Sequence, residues 1–278
     1  MMNYAPGGKK NEVGICLKSG QFNALKELTP DYIELNFAEI MQMPENRFRE
    51  LLAQICARGI CSPSMTQLLP KWARVVDAWN TFDFYRDDLR RGFERAVQMG
   101  AEIVVFGNAG ARNVDNNTPI ELALQRLASF LRSAAELAKD FNISLCVEPL
   151  NRIQSNLINS MSEAGELLSC VDLANVGIVW DYFHFQVEKD DWDTVQENWH
   201  HIMHCHTAAL LRRGIPDSGS QDRFLRTLKE HHYAGRLSFE FDQLPPDTDA
   251  LNRAMEDYRR VLNNEQSEQA ELSGGLSG

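Results

Sequence analysis

Several features that mark common protein classes are missing from this chain. Its six cysteines, at positions 16, 56, 61, 146, 170 and 205, form no CxxC pair, which argues against a zinc ribbon. We expect all six to be reduced in a cytoplasmic protein. No apolar run reaches the ~18 residues of a membrane span. The first residues, MMNYAPGGKKNE, contain no apolar core of signal-peptide length, so we expect neither a membrane partner nor a signal peptide.

Positive charge is also scarce. The 278 residues include 28 Lys and Arg against 39 Asp and Glu, which gives a formal net charge of −11. A general nucleic-acid binder carries a basic surface that attracts phosphates, and this composition is the opposite. We therefore expect no nucleic acid among the partners.

Eight short apolar runs alternate with longer helical patterns. The runs are Val13–Leu17, Tyr32–Phe37, Ile60–Met65, Ile103–Phe106, Ile143–Val147, Val176–Trp180, Ile202–His206 and Leu237–Phe241. They do not alternate strictly between apolar and polar residues, which is typical of parallel strands buried on both faces. The helical patterns are Gln21–Leu28, Glu45–Arg58, Asp83–Met99, Pro119–Asp140, Ser160–Ser169, Asp191–Asn198, Ser220–His231 and Thr248–Asn263.

Eight strand–helix units in a chain of this length predict a single (β/α)₈ TIM barrel spanning 1–278. Within it we expect a loose N-terminal arm at 1–11 and a frayed C-terminal tail at 265–278. The pattern alone leaves a doubly wound open sheet as the alternative. The segment LKSGQF after the first strand contains no glycine-rich dinucleotide or phosphate loop, which weighs against that alternative.

Acidic residues and histidines stand where four consecutive strands end. Glu148 follows the fifth strand and Asp181 the sixth, the seventh carries His204 and His206, and Glu240 is the penultimate residue of the eighth. A single aspartate is often a helix cap, and a lone histidine is often packed in the core or exposed. The prediction of a functional site therefore depends on all of these residues occurring together. In a barrel these ends converge on one mouth, where barrel enzymes hold their active sites. An oxygen-rich set with one imidazole predicts a divalent metal, Mn²⁺ or Mg²⁺, with Co²⁺ as a further option.

Two histidines compete for the role of metal ligand on the seventh strand. His204 and His206 are two residues apart and point to the same side of a strand. His206 lies nearer the strand end, so we predict that His206 is the ligand and that His204 lies one layer deeper.

The motifs VEPLNR, SNLINS, VWDYFH, HCHTA, RRGIPD and LSFEF occur in this order along the second half of the chain. Together with VVFGNAGARNV and YIELNF, they resemble the xylose-isomerase-like TIM-barrel superfamily. Within it they are most similar to the sugar (phosphate) isomerase/epimerase group, which includes D-tagatose 3-epimerase-like ketose epimerases. The resemblance extends from about Val13 to Asp242.

The resemblance implies roles for individual residues. The implied metal ligands are Glu148, Asp181, His206 and Glu240; Glu148 and Glu240 are also the implied catalytic acid/base pair, and the implied substrate-binding residues are His184 and Arg213. Arg213 matches an arginine before Gly-x-Pro, whereas the spacing from His206 points to Arg212 instead. We expect a homo-oligomer, and both a homodimer and a homotetramer are left open.

The activity implied by the resemblance is divalent-metal-dependent isomerisation or epimerisation of a sugar or sugar phosphate. A proton would move next to a ketose carbonyl through an enediolate, with Glu148 and Glu240 on opposite sides of the sugar. The alternative is a metal-dependent dehydratase of an inosose- or dehydroshikimate-like substrate, which uses the same ligands. A third reading is a sugar-binding barrel without catalysis.

Two other branches of the superfamily fit less well. Endonuclease IV needs additional histidines on its third and fourth strands, and the corresponding segments CSPSMTQL and VVFGNAG contain none. Hydroxypyruvate isomerases tend to have glutamine where His206 stands. Arg112 is left with two alternative roles, as a phosphate ligand or as a brace for its loop.

Overall fold

A computed structural model describes residues 11–263 except 80, 116 and 213, and the side chain of Leu211 is also outside the description. Eight parallel strands form a closed barrel in which each strand pairs with its sequence neighbours and β8 returns to β1. The predicted TIM barrel is therefore confirmed. The predicted arm and tail lie outside the described residues, apart from residue 11.

The strands of the barrel are short. They are β1 Val13–Leu17, β2 Tyr32–Asn36, β3 Ser64–Thr66, β4 Ile103–Phe106, β5 Ser144–Val147, β6 Val176–Asp181, β7 Ile202–Thr207 and β8 Leu237–Phe239.

Helices in the described part of the chain cover the outside of the barrel and shape its loops. They are α1 Phe37–Gln42, α2 Glu45–Ala57, α3 Thr81–Gln98, α4 Ala109–Arg112, α5 Ile120–Lys139, α6 Met161–Val171, α7 Tyr182–Glu188, α8 Trp192–Glu197, α9 Asp222–Glu230 and α10 Thr248–Asn263. Short 3₁₀ helices occupy Ser19–Lys26, Trp199–His201, Leu210–Arg212 and Gly219–Gln221. None of the helices described is long and apolar enough to cross a membrane.

The third strand differs most from its prediction. It begins at Ser64 and not at Ile60, because Pro63 has no N–H to donate to a strand ladder. The segment predicted as the helix Gln21–Leu28 is a 3₁₀ helix, and the helices α1, α4 and α7 were not predicted. Helices α1 and α7 directly follow the ends of β2 and β6, so their apolar residues continue the strand pattern without a turn signal, and α4 is only four residues long.

The main core lies between the strands and the surrounding helices. A smaller cluster of Val105, Cys146 and Val179 is separate from it. Because side chains two residues apart share a face of a strand, Cys146 and Val179 point to the same side as Glu148 and Asp181. The small cluster therefore forms an apolar floor beneath the acidic mouth of the barrel.

Candidate active site

The predicted ligands meet at the carboxyl end of the barrel. Glu148 directly follows β5, Asp181 ends β6, His206 is the penultimate residue of β7, and Glu240 directly follows β8. One ligand atom from each of the four residues lies within 4.8 Å of the others. His204 is not part of this group, so the geometry agrees with the choice of His206.

Three side-chain atoms in this group are buried without a hydrogen-bond partner among the described residues. They are Glu148 Oε1, His206 Nδ1 and Glu240 Oε2. His206 Nδ1 lies 3.5 Å from Glu148 Oε1 and 3.4 Å from Glu240 Oε2. Buried polar atoms normally have partners, and a divalent cation among these lone pairs would supply one. Three carboxylates and one imidazole fit a hard cation such as Mn²⁺ or Mg²⁺.

Arg212 enters the same group from the loop after β7. Its guanidinium hydrogen-bonds Asp181, and its Nη1 lies 2.9 Å from Glu240 Oε2 in an ion pair without hydrogen-bond geometry. Its charged end also lies over the Phe183 ring, at 4.9 Å from the centroid. The predicted Arg213 lies outside the described residues. Arg212, the alternative one position earlier, is the arginine that the structure places beside the predicted ligands.

His184 presents one nitrogen to the site. Its Nδ1 accepts from the backbone N–H of Asn151 at 3.1 Å. A backbone N–H can only donate, so the proton of the neutral ring is on Nε2. Nε2 lies 2.9 Å from Arg212 Nη2 and 3.6 Å from Asp181 Oδ2. Since Nε2–H and the Arg212 N–H are both donors, this arrangement favours an acceptor oxygen that lies within reach of both groups.

The surroundings of Glu148 and Glu240 shift the pKa values of these two carboxyl groups in opposite directions. Burial raises the pKa of Glu148 to about 7. Burial acts in the same direction on Glu240, but Arg212, His206 and His184 together outweigh it and leave the pKa of Glu240 well below its usual value. Burial would also raise the pKa of Asp181, but the same three groups together lower it. Burial lowers the pKa of His184 to about 4, so this ring is neutral near pH 7.

Glu34, in the middle of β2, was not among the predicted site residues. It is fully buried and accepts hydrogen bonds from His204 Nε2 at 2.9 Å, His206 Nε2 at 3.1 Å, Ser64 Oγ at 3.1 Å and Ser238 Oγ at 2.6 Å. The signal in the sequence was a glutamate inside the apolar run YIELN, because a carboxylate at such a position must find donors or a cation.

Arg112 is a brace. Its side chain is completely buried, and it donates to the backbone carbonyls of Phe106, at 3.2 Å, and Glu148. These two bonds connect the ends of β4 and β5. Both guanidinium nitrogens that form them point at the backbone, so the second of the two predicted roles is the one that the contacts support.

The loops after β3 and β4 form the wall beside Glu148. Asn108 Nδ2 donates to Gln67 Oε1 at 2.7 Å, and Gln67 Nε2 donates to the Gly107 carbonyl at 3.4 Å. Gln67 adopts a left-handed backbone conformation with φ 61°. Gly107 packs directly against the Glu148 carboxylate, because a Cβ added at Gly107 would lie 2.0 Å from Glu148 Oε2.

The close approach at Gly107 gives a testable prediction. Gly107→Ala should displace the carboxylate of Glu148, and a misplacement of ~1 Å in an active site can cost about 10²-fold in rate. The atoms in the way belong to side chains, so we expect little change in the free energy of unfolding measured with urea. Gly20→Ala is the matched control, since a Cβ there meets nothing within 4 Å. Unchanged activity in Gly107→Ala would mean that Glu148 does not need its present position.

The fold and this arrangement of residues define a TIM barrel with an acidic, histidine-containing mouth. The sequence pattern of the family described as xylose isomerase-like TIM barrel matches residues 22–261, and the chain belongs to this family. The predicted resemblance is thereby confirmed.

Individual relatives are sugar epimerases by name. The D-psicose 3-epimerase of Agrobacterium fabrum is 27% identical over 157 residues, which cover 53% of this chain and 54% of that protein. The 3-dehydro-D-guloside 4-epimerase of Escherichia coli is 29% identical over 239 residues, or 85% of this chain and 70% of that protein. The chain thus matches about half the length of the first relative and more of the second.

A solved structure shows the same fold. The D-allulose 3-epimerase of a Methylomonas species superposes with a TM-score of 0.76 at 18% identity, covering 92% of this chain and 99% of that one.

Proposed function

We propose that the protein is a divalent-metal-dependent ketose epimerase that moves a proton next to a sugar carbonyl. The observation that carries the proposal is the pair of carboxylates, Glu148 and Glu240, whose oxygens lie 3.5 and 3.4 Å from the same atom, His206 Nδ1. Both epimerase relatives described above act, by their names, on ketose or keto-sugar substrates.

Each residue of the site has a role in this reaction. One of the two glutamates removes a proton from the carbon next to the carbonyl, and the other returns a proton to the opposite face. His184 Nε2–H and the guanidinium of Arg212 hold the substrate oxygens and stabilise negative charge that develops on them. Glu148, Asp181, His206 and Glu240 would hold a divalent cation, which as a Lewis acid polarises the carbonyl.

The charges at the mouth favour a neutral sugar. Glu148, Asp181 and Glu240 contribute three negative charges, Arg212 contributes one positive charge, and a divalent cation would bring the remaining two. The mouth is then close to neutral and offers no excess positive charge to a phosphate. Arg112 faces backbone carbonyls and is not free for an anion. We therefore favour an unphosphorylated ketose or keto-glycoside.

We further predict that the whole protein is cytoplasmic and that it assembles as a homodimer or homotetramer. The metal preference, Mn²⁺ or Mg²⁺ with Co²⁺ as a further option, rests on the three oxygen donors and one imidazole nitrogen of the site.

Solvent deuterium tests the reaction type directly. The protein is incubated with Mn²⁺ in D₂O with free ketohexoses, their phosphates, a 3-keto-glycoside and inososes, and the recovered compounds are examined by NMR after chelation. A two-base epimerase should introduce solvent deuterium at the inverted carbon, because carboxylate protons exchange with water between turnovers. The variant Glu148→Gln serves as the control and should give no epimerised sugar, because only one of the two bases remains.

Other results would contradict the proposal in distinct ways. A converted sugar without deuterium at any carbon next to the carbonyl would indicate a hydride shift and remove the proton-transfer role of Glu148 and Glu240. Deuterium at the neighbouring carbon with an aldose product would make the protein an aldose–ketose isomerase. Loss of water from an inosose would establish the dehydratase alternative.

A further inference from the structure

A buried hydrogen-bond network lies directly beneath the proposed metal ligands and has no part in the proposed chemistry. At its centre is Glu34, whose two carboxylate oxygens have different partners. Oε2 accepts from His204, Ser64 and Ser238, whereas Oε1 accepts from His206 Nε2 at 3.1 Å. The partners of Oε2 come from β3, β7 and β8, so three strands hold the carboxylate in place around the barrel axis.

The two nitrogens of His206 therefore face opposite environments. Nε2 faces Glu34, while Nδ1 has no hydrogen-bond partner among the described residues and faces Glu148 and Glu240. An ionised carboxylate can only accept, so the nitrogen beside Glu34 must carry a proton. Ser64 Oγ and Ser238 Oγ, which donate to the other oxygen, hold the Glu34 carboxylate in the role of an acceptor.

We propose that Glu34 is a positioning residue that fixes the ring orientation and tautomer of His206, so that the Nδ1 lone pair points at the cation. A ring rotated by 180° would lose the bond to Glu34 and would present a carbon atom to the acidic group. Carboxylates that orient metal-binding histidines in this way typically contribute about 10–100-fold to metal affinity. The proposal rests on the metal site proposed above and deepens it.

Metal affinity of the purified protein is the first readout, measured by calorimetry with Mn²⁺ alone and without substrate. Glu34→Gln should weaken Mn²⁺ binding by about 10–100-fold. Ser64→Ala is the matched control, because it removes one bond to Oε2 and leaves Oε1 and His206 unchanged; its affinity should stay near that of the wild type. Circular dichroism checks that both variants are folded.

A second variant separates positioning from charge. Glu34→Asp retains the negative charge but withdraws the carboxylate by one methylene, so the bond to His206 is lost. Positioning predicts that Glu34→Asp binds Mn²⁺ as weakly as Glu34→Gln. Wild-type affinity in Glu34→Asp together with weak binding in Glu34→Gln would show that charge alone matters, and this would overturn the proposal.

The tautomer can also be observed in the wild-type protein, which does not depend on any variant being stable. In protein labelled with ¹⁵N-histidine and saturated with Mg²⁺, the His206 ring should carry its proton on Nε2, with assignment from the spectrum of His206→Gln. A proton on Nδ1 would overturn the proposal while the metal site remains. Absence of Mn²⁺ and Mg²⁺ binding to the wild type would instead overturn the metal site itself, and the role of Glu34 with it.

Discussion

Glu148→Gln and Glu240→Gln are each expected to lower turnover by at least about 10²–10⁴-fold, the usual contribution of one positioned acid or base. Glutamine preserves the shape of the side chain but cannot accept a proton from carbon. It also removes one of three carboxylates from the proposed cation site. Each change therefore removes a group that transfers the proton. It also weakens the proposed cation site, which stabilises the negative charge that proton removal leaves on the sugar.

Steady-state kinetics with saturating Mn²⁺ measure this loss. Glu166→Gln, on the exposed surface of α6, makes the same chemical change away from the mouth and should leave turnover unchanged. Urea unfolding should show that neither site variant has lost its fold, because each replaces a charge in a crowded acidic group. Near-wild-type turnover in either site variant would exclude that residue from proton transfer and leave only one base.

The positions of the proposed ligands could be predicted because the barrel imposes a simple rule. Each strand runs in the same direction, so a polar residue directly after an apolar run reaches the same mouth as its counterparts on other strands. Glu148 and Asp181 follow this rule, Glu240 lies one residue before the end of its predicted run, and the structure brings the three carboxylates together. The two-residue period of a strand puts His204 and His206 on the same side, and His206 was chosen because it lies nearer the strand end.

The supporting residues could not be found in this way. Glu34 lies inside a strand and not at its end, and its partners come from strands that are distant in sequence. Arg212 enters the site through a left-handed backbone conformation, with φ 50°, which shifts the direction of its side chain relative to a regular turn. The order of residue types along the chain does not indicate which side chains hydrogen-bond across the barrel or which conformation a loop adopts.

The short helix α7 was also not predicted from the sequence, because it begins directly after a strand. Helix α7 begins at Tyr182, directly after Asp181, whose side chain accepts from the backbone N–H of Phe183 at 2.8 Å. Asp181 thus caps a helix with Oδ1 while Oδ2 faces Arg212. The role of Asp181 as a helix cap is therefore compatible with its proposed role in the site, because the two oxygens have different partners.

Removal of the proposed divalent cation is the second change with a large expected effect. Under the proposed mechanism, chelation leaves three buried or nearly buried carboxylates with Arg212 as their main positive partner, and it removes the Lewis acid that would polarise the carbonyl. Since that contribution amounts to several kcal/mol, we expect activity to fall by about 10²–10⁴-fold. Addition of Mn²⁺ should restore it, and Mg²⁺ and Co²⁺ should be tested beside it, because each accepts a mainly oxygen donor set.

Thermal unfolding provides a measurement that does not depend on knowing the substrate. A ligand present at 100 times its Kd stabilises the native state by about 2.7 kcal/mol, which corresponds to a rise in Tm of about 5 °C for a chain of this size. Asp181→Asn should lose most of this rise, whereas Glu166→Gln should retain it. Elemental analysis must accompany the experiment. Full turnover by protein shown to be free of metal would refute the metal-dependent mechanism, and a rise in Tm that persists in Asp181→Asn would place the cation elsewhere on the protein.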